Sequence, residues 1–391
     1  MKFGHMADCH VGGWRDQKLN DLSLEYFKEA IKICLKENVG FVLISGDLFD
    51  TALPGTDLIK EVAGELNRLK EGNVDVYLVP GSHDFSPSGK TVLDVFEKSG
   101  LCVNVNTYED GKLKFFEDKT GVKLTGVLGR RGGLEKEDYI KLDKEYLEKE
   151  EGFKIFLFHT ALEEFKPHDL EKVECMSFAS LPRNFNYYAG GHVHYIYDVV
   201  KEGYGKIVYP GPLFPNNFKE IEELKKGGFY VVDEKLNLFR KDIELKKVLS
   251  FSISGTISRE INAQIENIIE NENFSDKIVT LRISGELEEG KVSDVKVKNY
   301  VKRMEEKGAF FVMKNLNKLK LKEFSEIKLE GEVKDIEESL IKEHLGQFKI
   351  ENEKELTDEL IGVFSEEKLE GETNTTFENR VINMALKILK L

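Results

Sequence analysis

Five short motifs contain residues whose types and spacing could bind metal ions. They are Asp8-x-His10, Gly46-Asp47, Gly81-Ser82-His83-Asp84, His159 and Gly190-Gly191-His192-x-His194. Each motif directly follows a short apolar run, and together they hold five of the eight histidines in the chain. Imidazole and carboxylate ligands without thiolate suit Mn, Fe or Zn better than Ca or Mg. The five motifs therefore predict a metal site.

The expected chemistry is hydrolysis of a phosphate ester. Two cations roughly 3.5–4 Å apart activate water at neutral pH and hold the attacking and leaving oxygens of a phosphoryl displacement, and one Asp can bridge them. A single His at a strand end, or a single Gly-Asp turn, usually has a structural role. Five such motifs in matching places instead indicate a metal site. No P-loop, GxSxG elbow or GxGxxG stands in a fitting context, which excludes nucleotide-driven, serine-hydrolase and dinucleotide-binding enzymes.

These motifs need a scaffold in which the ends of several strands meet. The first half of the chain alternates apolar runs such as 41–45, 74–79, 153–158 and 187–191 with helical patterns, which is typical of a layered α/β domain. In such sheets ligands gather outside the carboxyl ends of the strands. The i, i+2 spacing of Asp8/His10 and His192/His194 predicts that each pair lies on one side of an extended segment.

The helical patterns cover Leu22–Glu37, Leu58–Lys70 and Thr91–Ser99. After about Lys247 charges multiply, yet 248–320 still has the pattern of a small α/β module. Beyond Leu321 the sequence is helical and charged, interrupted by GETNTT. These last helices are too few to enclose a core, so we expect some of them to dock on another surface.

Composition narrows the class of protein. A length of 391 residues favours two or three domains. A net charge of -14 argues against a globally basic nucleic-acid binder, although cations and basic loops can reverse the field over one face. The four cysteines form no CxxC pair, and no long apolar run is present. We therefore expect a cytoplasmic protein without disulfides, thiolate zinc or a membrane span.

The ordered set DxH, GD, GxHD, H and GHxH resembles the calcineurin-like metallophosphoesterase superfamily. Within it, HMADCHVGG, LISGDLFD, VPGSHDFS, FHTALE and YYAGGHVHYIY resemble archaeal members of the meiotic recombination eleven / SbcD family of double-strand-break repair nucleases. The resemblance implies an α/β sandwich of two β-sheets flanked by helices, a small α/β capping domain and a helical C-terminal segment. The implied domains are 1–240 (nuclease), 247–320 (capping) and 321–391 (helical, binding an ATPase partner).

The resemblance also implies roles for individual residues. One Mn²⁺ would be held by Asp8, His10, Asp47 and His194, and a second by Asp47, Ser82, His159 and His192. His83 would lie near the scissile phosphate, with Asp84 orienting it. Two residues depart from the family: Ser82 stands where Asn is frequent, and Asp50 stands where some members have a His that influences exonuclease action.

The implied activity is 3′-to-5′ exonuclease action on double strands and endonuclease action on single strands. Loops around the cleft would contact DNA phosphates without reading sequence. The candidate contacts are Trp14, Arg15, Lys18, Lys90, Arg130 and Arg131.

The implied partners are DNA ends, a second copy of the chain and an ATPase. Helices around Asp57–Lys70 and Thr91–Ser99 resemble the dimerising helices of the family, although their apolar stripes could equally cover a sheet. In the C-terminal segment the apolar faces would bind the coiled-coil base of an SMC-like ABC-type ATPase of the Rad-fifty type, although they could also fold back on the capping domain. These faces are formed by Leu340, Ile341, Leu345 and Phe348, and later by Leu360, Ile361 and Phe364.

Two other functions remain open from the sequence. The first is a phosphatase of the same superfamily acting on small molecules or phosphoproteins, although GDLFD lacks the Arg expected in protein phosphatases. The second is a non-catalytic scaffold, for which only Ser82 offers support because all the His and Asp ligands are present.

Overall fold

A computed structural model gives the architecture of the chain. It describes residues 1–86, 91–165, 175–322, 352–366, 368 and 374–389. The described chain forms two compact units, Met1–Lys320 and Leu321–Leu391. No helix among these residues has the length and apolar character needed to cross a membrane.

The strands and helices of the structure alternate through the first unit. The strands are β1 (Lys2–Met6), β2 (Phe41–Ser45), β3 (Asp75–Val79), β4 (Val103–Asn104), β5 (Tyr108–Glu109), β6 (Lys112–Leu113), β7 (Phe116–Glu117), β8 (Lys123–Val127), β9 (Lys154–His159), β10 (Ala161–Leu162), β11 (Cys175–Met176), β12 (Tyr187–Gly191), β13 (Ile196–Val200), β14 (Lys206–Pro210), β15 (Gly227–Asp233), β16 (Leu238–Ile243), β17 (Val248–Ser254), β18 (Ile278–Leu287) and β19 (Phe311–Leu321). The helices are α1 (Gln17–Lys36), α2 (Thr56–Glu71), α3 (Val92–Lys98), α4 (Lys136–Ile140), α5 (Lys144–Lys149), α6 (Phe218–Leu224), α7 (Ser258–Asn271), α8 (Val297–Glu306), α9 (Glu353–Phe364) and α10 (Asn374–Ile388).

Two six-stranded sheets form the body of the first unit. The first has the order β16-β15-β1-β2-β3-β4, in which β1 to β4 are parallel and β15 and β16 are antiparallel to their neighbours. The second has the order β13-β14-β12-β9-β8-β7, in which β14, β12, β9 and β8 are parallel. Both sheets therefore have a parallel centre; the second has an antiparallel strand at each edge, whereas the first has antiparallel strands only on the β15–β16 side.

Apolar side chains between the two sheets hold them together. Phe3, Leu43, Leu157, Tyr187 and Val208 belong to one buried cluster contributed by both sheets. A second cluster lies where α1, α2 and α3 cover the first sheet, and a third covers the outer face of the second sheet. The predicted two-sheet sandwich flanked by helices is confirmed.

A smaller α/β element, here called the cap module, consists of β17, β18, β19, α7 and α8. Its strands have the order β17-β18-β19, and β17 and β18 are parallel. Phe310 and Phe311 pack against the main core. β16 ends at Ile243 and β17 begins at Val248, while the division of the chain into three domains stays a prediction.

Two features of the fold differ from the sequence-based expectation. Helix α1 begins at Gln17 rather than near Leu22, because Asp16 caps it by accepting the backbone N–H of Lys18. The edge strands β13 and β16 were not predicted, because half-exposed edge strands lack a continuous apolar run.

Candidate metal centre

The central parallel strands of both sheets direct the five motifs to one place. Asp8 and His10 follow β1, Asp47 follows β2, and His83 follows β3. His159 is the last residue of β9, and His192 follows β12. Backbone hydrogen bonds join the first two loops, since the N–H of His10 donates to the carbonyl of Asp47 at 2.9 Å. The strand-end arrangement thus brings residues from both sheets together.

Asp8, His10 and His194 form one group of potential ligands. Their ligand atoms lie within 4.8 Å of one another. The Nδ1 atom of His10 lies 3.0 Å from Asp50 Oδ1, and that of His194 lies 2.9 Å from Glu220 Oε1. Because a carboxylate oxygen can only accept, each Nδ1 carries the proton and each Nε2 keeps its lone pair.

The two Nε2 atoms face each other at 3.1 Å, and His194 Nε2 lies 3.8 Å from Asp8 Oδ1. Two lone pairs at that distance repel unless a positive charge lies between them.

Asp8, Asp47 and His159 form a second group, also within 4.8 Å. The Nδ1 atom of His159 donates to the carbonyl of Ser45 at 2.8 Å, so Nε2 is again the nitrogen that can bind a cation. This fully buried Nε2 makes no hydrogen bond with the described residues, although Asp47 Oδ2 lies 3.1 Å away. Asp47 Oδ2 is also 3.7 Å from His10 Nε2, so this carboxylate lies between the two groups.

The residues therefore fit a cation by the chemistry of the donor set. Three imidazole nitrogens and two carboxylates converge, and each of the three histidines is oriented by a hydrogen bond from its other nitrogen. That outer hydrogen bond is the usual arrangement for histidines that bind metal ions. The orphaned Nε2 of His159 is the buried polar atom that an ion would satisfy.

The electrostatics of the cluster favour positive charge. Burial would lower the pKa of His159, but the Asp47 carboxylate outweighs it and raises the pKa to about 10. Burial would likewise lower the pKa of His194, but hydrogen bonding to Glu220 and the charge of Asp8 raise it to about 9. The carboxylates thus favour positive charge at these imidazoles: without an ion that charge is a proton on Nε2, and a bound cation takes the place of the proton and uses the Nε2 lone pair.

Several site residues adopt left-handed backbone conformations. The φ angles are 48° at Asp8, 40° at His10, 51° at Asp47 and 89° at His192. Each such residue costs of order 1–3 kcal/mol, which the surrounding structure must offset. The predicted extended geometry of the two i, i+2 pairs is therefore wrong, because these residues lie beyond the strand ends in tight loops.

The chain matches a family model of known enzymes over this region. Residues 1–195 match the model of the calcineurin-like phosphoesterases. Residues 1–195 are a calcineurin-like phosphoesterase domain. Membership of this family implies divalent metal ions, in agreement with the donor set.

Three archaeal proteins similar to this chain share one name with each other, DNA double-strand break repair protein Mre11. The protein from Methanococcus maripaludis is 29% identical over 293 residues, which cover 71% of this chain and 73% of the relative. The protein from Thermoplasma acidophilum is also 29% identical and covers 71% and 72%, respectively. The protein from Saccharolobus solfataricus is 26% identical and covers 71% and 68%.

His83 and Asp84 occupy different parts of the phosphoesterase site. His83 Nδ1 donates to the carbonyl of Asp50 at 2.8 Å, and the His83 side chain is 39% exposed. Asp84 is buried and accepts the backbone N–H groups of Leu48, Phe49 and Gly81 at 3.0–3.1 Å. The expectation that Asp84 orients His83 is wrong, because its carboxylate instead ties the loop after β2 to the loop after β3.

Ser82 and His192 lie at the margin of the ligand cluster. Both line a cavity of about 410 Å³ together with His83 and Arg131. The ring of His192 lies 5.1 Å from that of His159, and its backbone N–H donates to Asp8 Oδ1 at 2.9 Å. Their roles as ligands stay predictions, since neither belongs to the groups whose ligand atoms lie within 4.8 Å of one another.

The residues predicted to contact DNA differ in exposure and in their contacts within the protein. The indole of Trp14 donates to the carbonyl of Pro215 at 3.1 Å and packs on the core, and Lys18 donates to the carbonyl of Phe310 at 3.2 Å. Both are therefore engaged within the protein, which argues against their predicted role. Arg15 and Arg131 are exposed, whereas Arg130 pairs with Asp138 at 2.7 Å. Lys90 lies outside the described residues.

Two functional residues were not assigned a role from the sequence. Asp50 accepts from His10 through its carboxylate and from His83 through its carbonyl. Glu220 accepts from His194 across 26 positions of sequence. The position of Asp50 in the GDLFD motif, close to Asp47, is a sequence signal for an orienting group. No local feature of the sequence distinguishes Glu220 from the other glutamates of α6.

Proposed function

We propose that this chain is a Mn²⁺-dependent DNA nuclease of the Mre11 type that acts in double-strand-break repair. The observation that carries the proposal is the convergence of three histidine Nε2 atoms, each on a ring whose Nδ1 is hydrogen-bonded elsewhere, with Asp8 and Asp47 beside a cavity lined by His83. The archaeal Mre11 relatives supply the substrate class. The activities proposed are double-strand 3′-to-5′ exonuclease and single-strand endonuclease.

The ligands proposed for the first ion are Asp8, His10, Asp47 and His194, and those for the second are Asp47, Ser82, His159 and His192. Two bound ions would activate water and neutralise charge on the phosphodiester. The position of Asp47 Oδ2 between His10 and His159 supports its role as the bridge. Asp50 and Glu220 hold two of the histidines in the required tautomer.

His83 is proposed to protonate the leaving oxygen. Its Nδ1 donates to the Asp50 carbonyl and its ring borders the cavity, so the proton delivered to the leaving oxygen would be the one that Nε2 carries in the imidazolium form. The grouping of His10, Asp50 and His83 is explained by hydrogen bonds to Asp50 rather than by a third ion.

Changing His83 to Ala should lower the turnover number about 10²-fold without changing Mn²⁺ affinity. The expected loss is that of a proton donor whose side chain is not a metal ligand. Steady-state cleavage of a labelled oligonucleotide and a calorimetric Mn²⁺ titration would measure the two quantities. A parallel loss of Mn²⁺ affinity would instead make His83 a ligand.

Arg131 is proposed to hold a DNA phosphate beside the cleft. It is exposed, lines the cavity, and its Nε donates to the carbonyl of Ser82 at 3.3 Å. Arg131→Gln should weaken DNA binding several-fold. The slope of log affinity against log salt concentration should fall by the contribution of about one phosphate contact. Arg130→Gln is the matched control, since Asp138 already neutralises Arg130. Binding curves at several salt concentrations would measure both, and a larger effect at Arg130 would contradict the assignment.

Incubation of the purified chain with Mn²⁺ tests the proposal as a whole. The substrates are end-labelled duplex DNA, circular single-stranded DNA and a phosphate monoester. We expect Mn²⁺-dependent shortening of the duplex from its 3′ ends and nicking of the circle. Rapid hydrolysis of the monoester with no cleavage of either DNA would favour a phosphatase.

The proposed partners are an SMC-like ABC-type ATPase of the Rad-fifty type and a second copy of the chain, in the cytoplasm at the nucleoid. In the C-terminal unit α9 and α10 pack on each other, and Phe364 is 66% and Ile382 53% exposed. Leu360 and Ile361 are half-buried in α9. The other four apolar residues predicted for this surface, Leu340, Ile341, Leu345 and Phe348, lie outside the described residues.

The dimer surface is proposed around α2 and α3. Leu53, just before α2, is 73% exposed, and Val95 on α3 is 58% exposed. Most other apolar residues of the two helices, such as Leu66 and Phe96, are buried against the first sheet. These two exposed side chains support a contact with a second copy.

A further inference from the structure

Two carboxylates of helix α6 contact different parts of the protein: one contacts the candidate metal centre and the other contacts the cap module. Glu220 accepts a hydrogen bond from Nδ1 of His194 at 2.9 Å. Glu222, two residues later, pairs with Arg282 of β18 in the cap module. A single helix of seven residues, Phe218–Leu224, therefore touches both a metal-ligand histidine and the cap module.

The Glu220 carboxylate has little freedom to move independently of the helix. Its Oε2 accepts the backbone N–H of Asn216 at 2.7 Å. The side chain of Asn217 caps the helix by accepting the backbone N–H of Glu220 at 3.0 Å, and it also donates to Oε1. A displacement of α6 would therefore displace the group that orients His194.

The cap module holds α6 by a charged pair and a ring contact. Arg282 Nε lies 3.0 Å from Glu222 Oε2 and 3.3 Å from Oε1, and Nη2 also donates to Oε2. The guanidinium lies 5.0 Å from the ring centre of Phe218. Both charged side chains are half-buried, and multiply bonded Arg–carboxylate pairs have strongly preferred geometry.

We propose that α6 couples the position of the cap module to the metal-binding geometry of His194. Glu220 is the positioning residue for that ligand, and Arg282 is the contact on the cap module. The inference rests on the metal-binding part of the proposed function and not on the identity of the substrate. It implies that a partner that moves the cap module alters the ion held by Asp8, His10 and His194.

A Mn²⁺ titration of the metal-free, full-length chain tests the coupling. Electron paramagnetic resonance would count free Mn²⁺ at each addition, and no DNA is present. Glu220→Gln should weaken one class of site about 10–100-fold, the usual effect of losing such an orienting group. Arg282→Met should weaken the same class several-fold. Glu223→Gln is the matched control, because Glu223 lies on the same helix, is exposed and pairs with Lys219.

Two further controls test whether each variant folds and whether the Glu222–Arg282 ion pair carries the effect. Thermal unfolding in the presence of a chelator would show that each variant folds. The exchanged pair Glu222→Arg with Arg282→Glu should recover affinity lost in Arg282→Met, since the ion pair is restored with reversed polarity. Failure of the exchanged pair to recover affinity, or wild-type affinity in Glu220→Gln or Arg282→Met, would overturn the coupling.

The result is separable from the proposed nuclease activity. A chain that binds Mn²⁺ and shows the expected changes in affinity but cleaves no DNA would contradict the proposed function and support the coupling. Unchanged affinities in a chain that cleaves DNA would contradict the coupling alone.

Discussion

Replacing Asp47 with Asn should lower the rate of DNA cleavage by at least about 10³-fold, because the ligand proposed to bridge the two ions would contribute several kcal/mol of transition-state stabilisation. Asp47 Oδ2 lies 3.1 Å from His159 Nε2 and 3.7 Å from His10 Nε2. Its Oδ1 also accepts the backbone N–H of His83 at 2.7 Å, so the same carboxylate fixes the loop that carries the proposed proton donor. A neutral amide has the same shape but attracts cations far less.

Thermal unfolding with and without Mn²⁺ provides a second measurement on the same variant. An ion at 100 times its Kd stabilises a protein by about 2.7 kcal/mol, so the unfolding temperature of the wild type should rise with Mn²⁺. Asp47→Asn should lose most of that rise. Asp198→Asn on the edge strand β13, where the side chain is exposed, should behave as the wild type does. Full activity in Asp47→Asn would exclude a bridging role.

Replacing Gly46 with Ala should abolish metal binding and destabilise the fold by about 4 kcal/mol, among the most damaging effects of a single substitution. A Cβ atom at this position would lie 2.0 Å from Nδ1 of His159, and the φ angle of +86° is one that L side chains rarely adopt. His159 could not move away without breaking its hydrogen bond to the carbonyl of Ser45. Chemical denaturation and a Mn²⁺ titration would measure the two effects.

Gly121→Ala is the matched control for backbone strain. Its φ is +79°, but a Cβ there would meet nothing within 4 Å, so only the conformational cost of about 1–2 kcal/mol is expected. The difference between the two variants isolates the close approach of the loop after β2 to His159. Equal destabilisation by both substitutions, with Mn²⁺ binding retained, would contradict the tight packing proposed for this site.

Glycines stand next to the proposed ligands because other atoms approach the backbone too closely for a Cβ atom. A Cβ at Gly81 would lie 2.2 Å from Asp47 Oδ1, and one at Gly191 would lie 2.0 Å from the carbonyl of Ser45. Gly81 and Asp47 follow neighbouring strands of the first sheet, whereas Gly191 of the second sheet meets Ser45 of the first. Only the tertiary structure therefore identifies what approaches each glycine.

Much of the site could be predicted because it depends on local pattern. Apolar runs followed by Asp and His place ligands at strand ends, and the carboxyl ends of parallel strands meet at one edge of a sheet. The types of ligand then select a divalent metal and phosphoester chemistry. None of these steps requires knowledge of how one loop contacts another.

The remaining assignments depended on contacts between distant residues. Asp84 follows His83 in sequence, yet its carboxylate bonds to the loop after β2. Trp14 follows His10 closely, yet its indole turns to Pro215. Sequence proximity predicted the wrong partner for Asp84 and did not indicate the contact of Trp14 with Pro215, because side-chain hydrogen bonds form with whatever group the fold brings within about 3 Å.

The sequence by itself determined the ligand types, their order on the strands and hence the phosphoesterase chemistry, since strand periodicity and metal preference are local properties. Only the tertiary structure decided which nitrogen of each histidine is free. That choice depends on Asp50, Ser45 and Glu220, which meet His10, His159 and His194 from separate loops and a separate helix. Orienting hydrogen bonds of this kind are set by three-dimensional packing and leave no periodic signal in the chain.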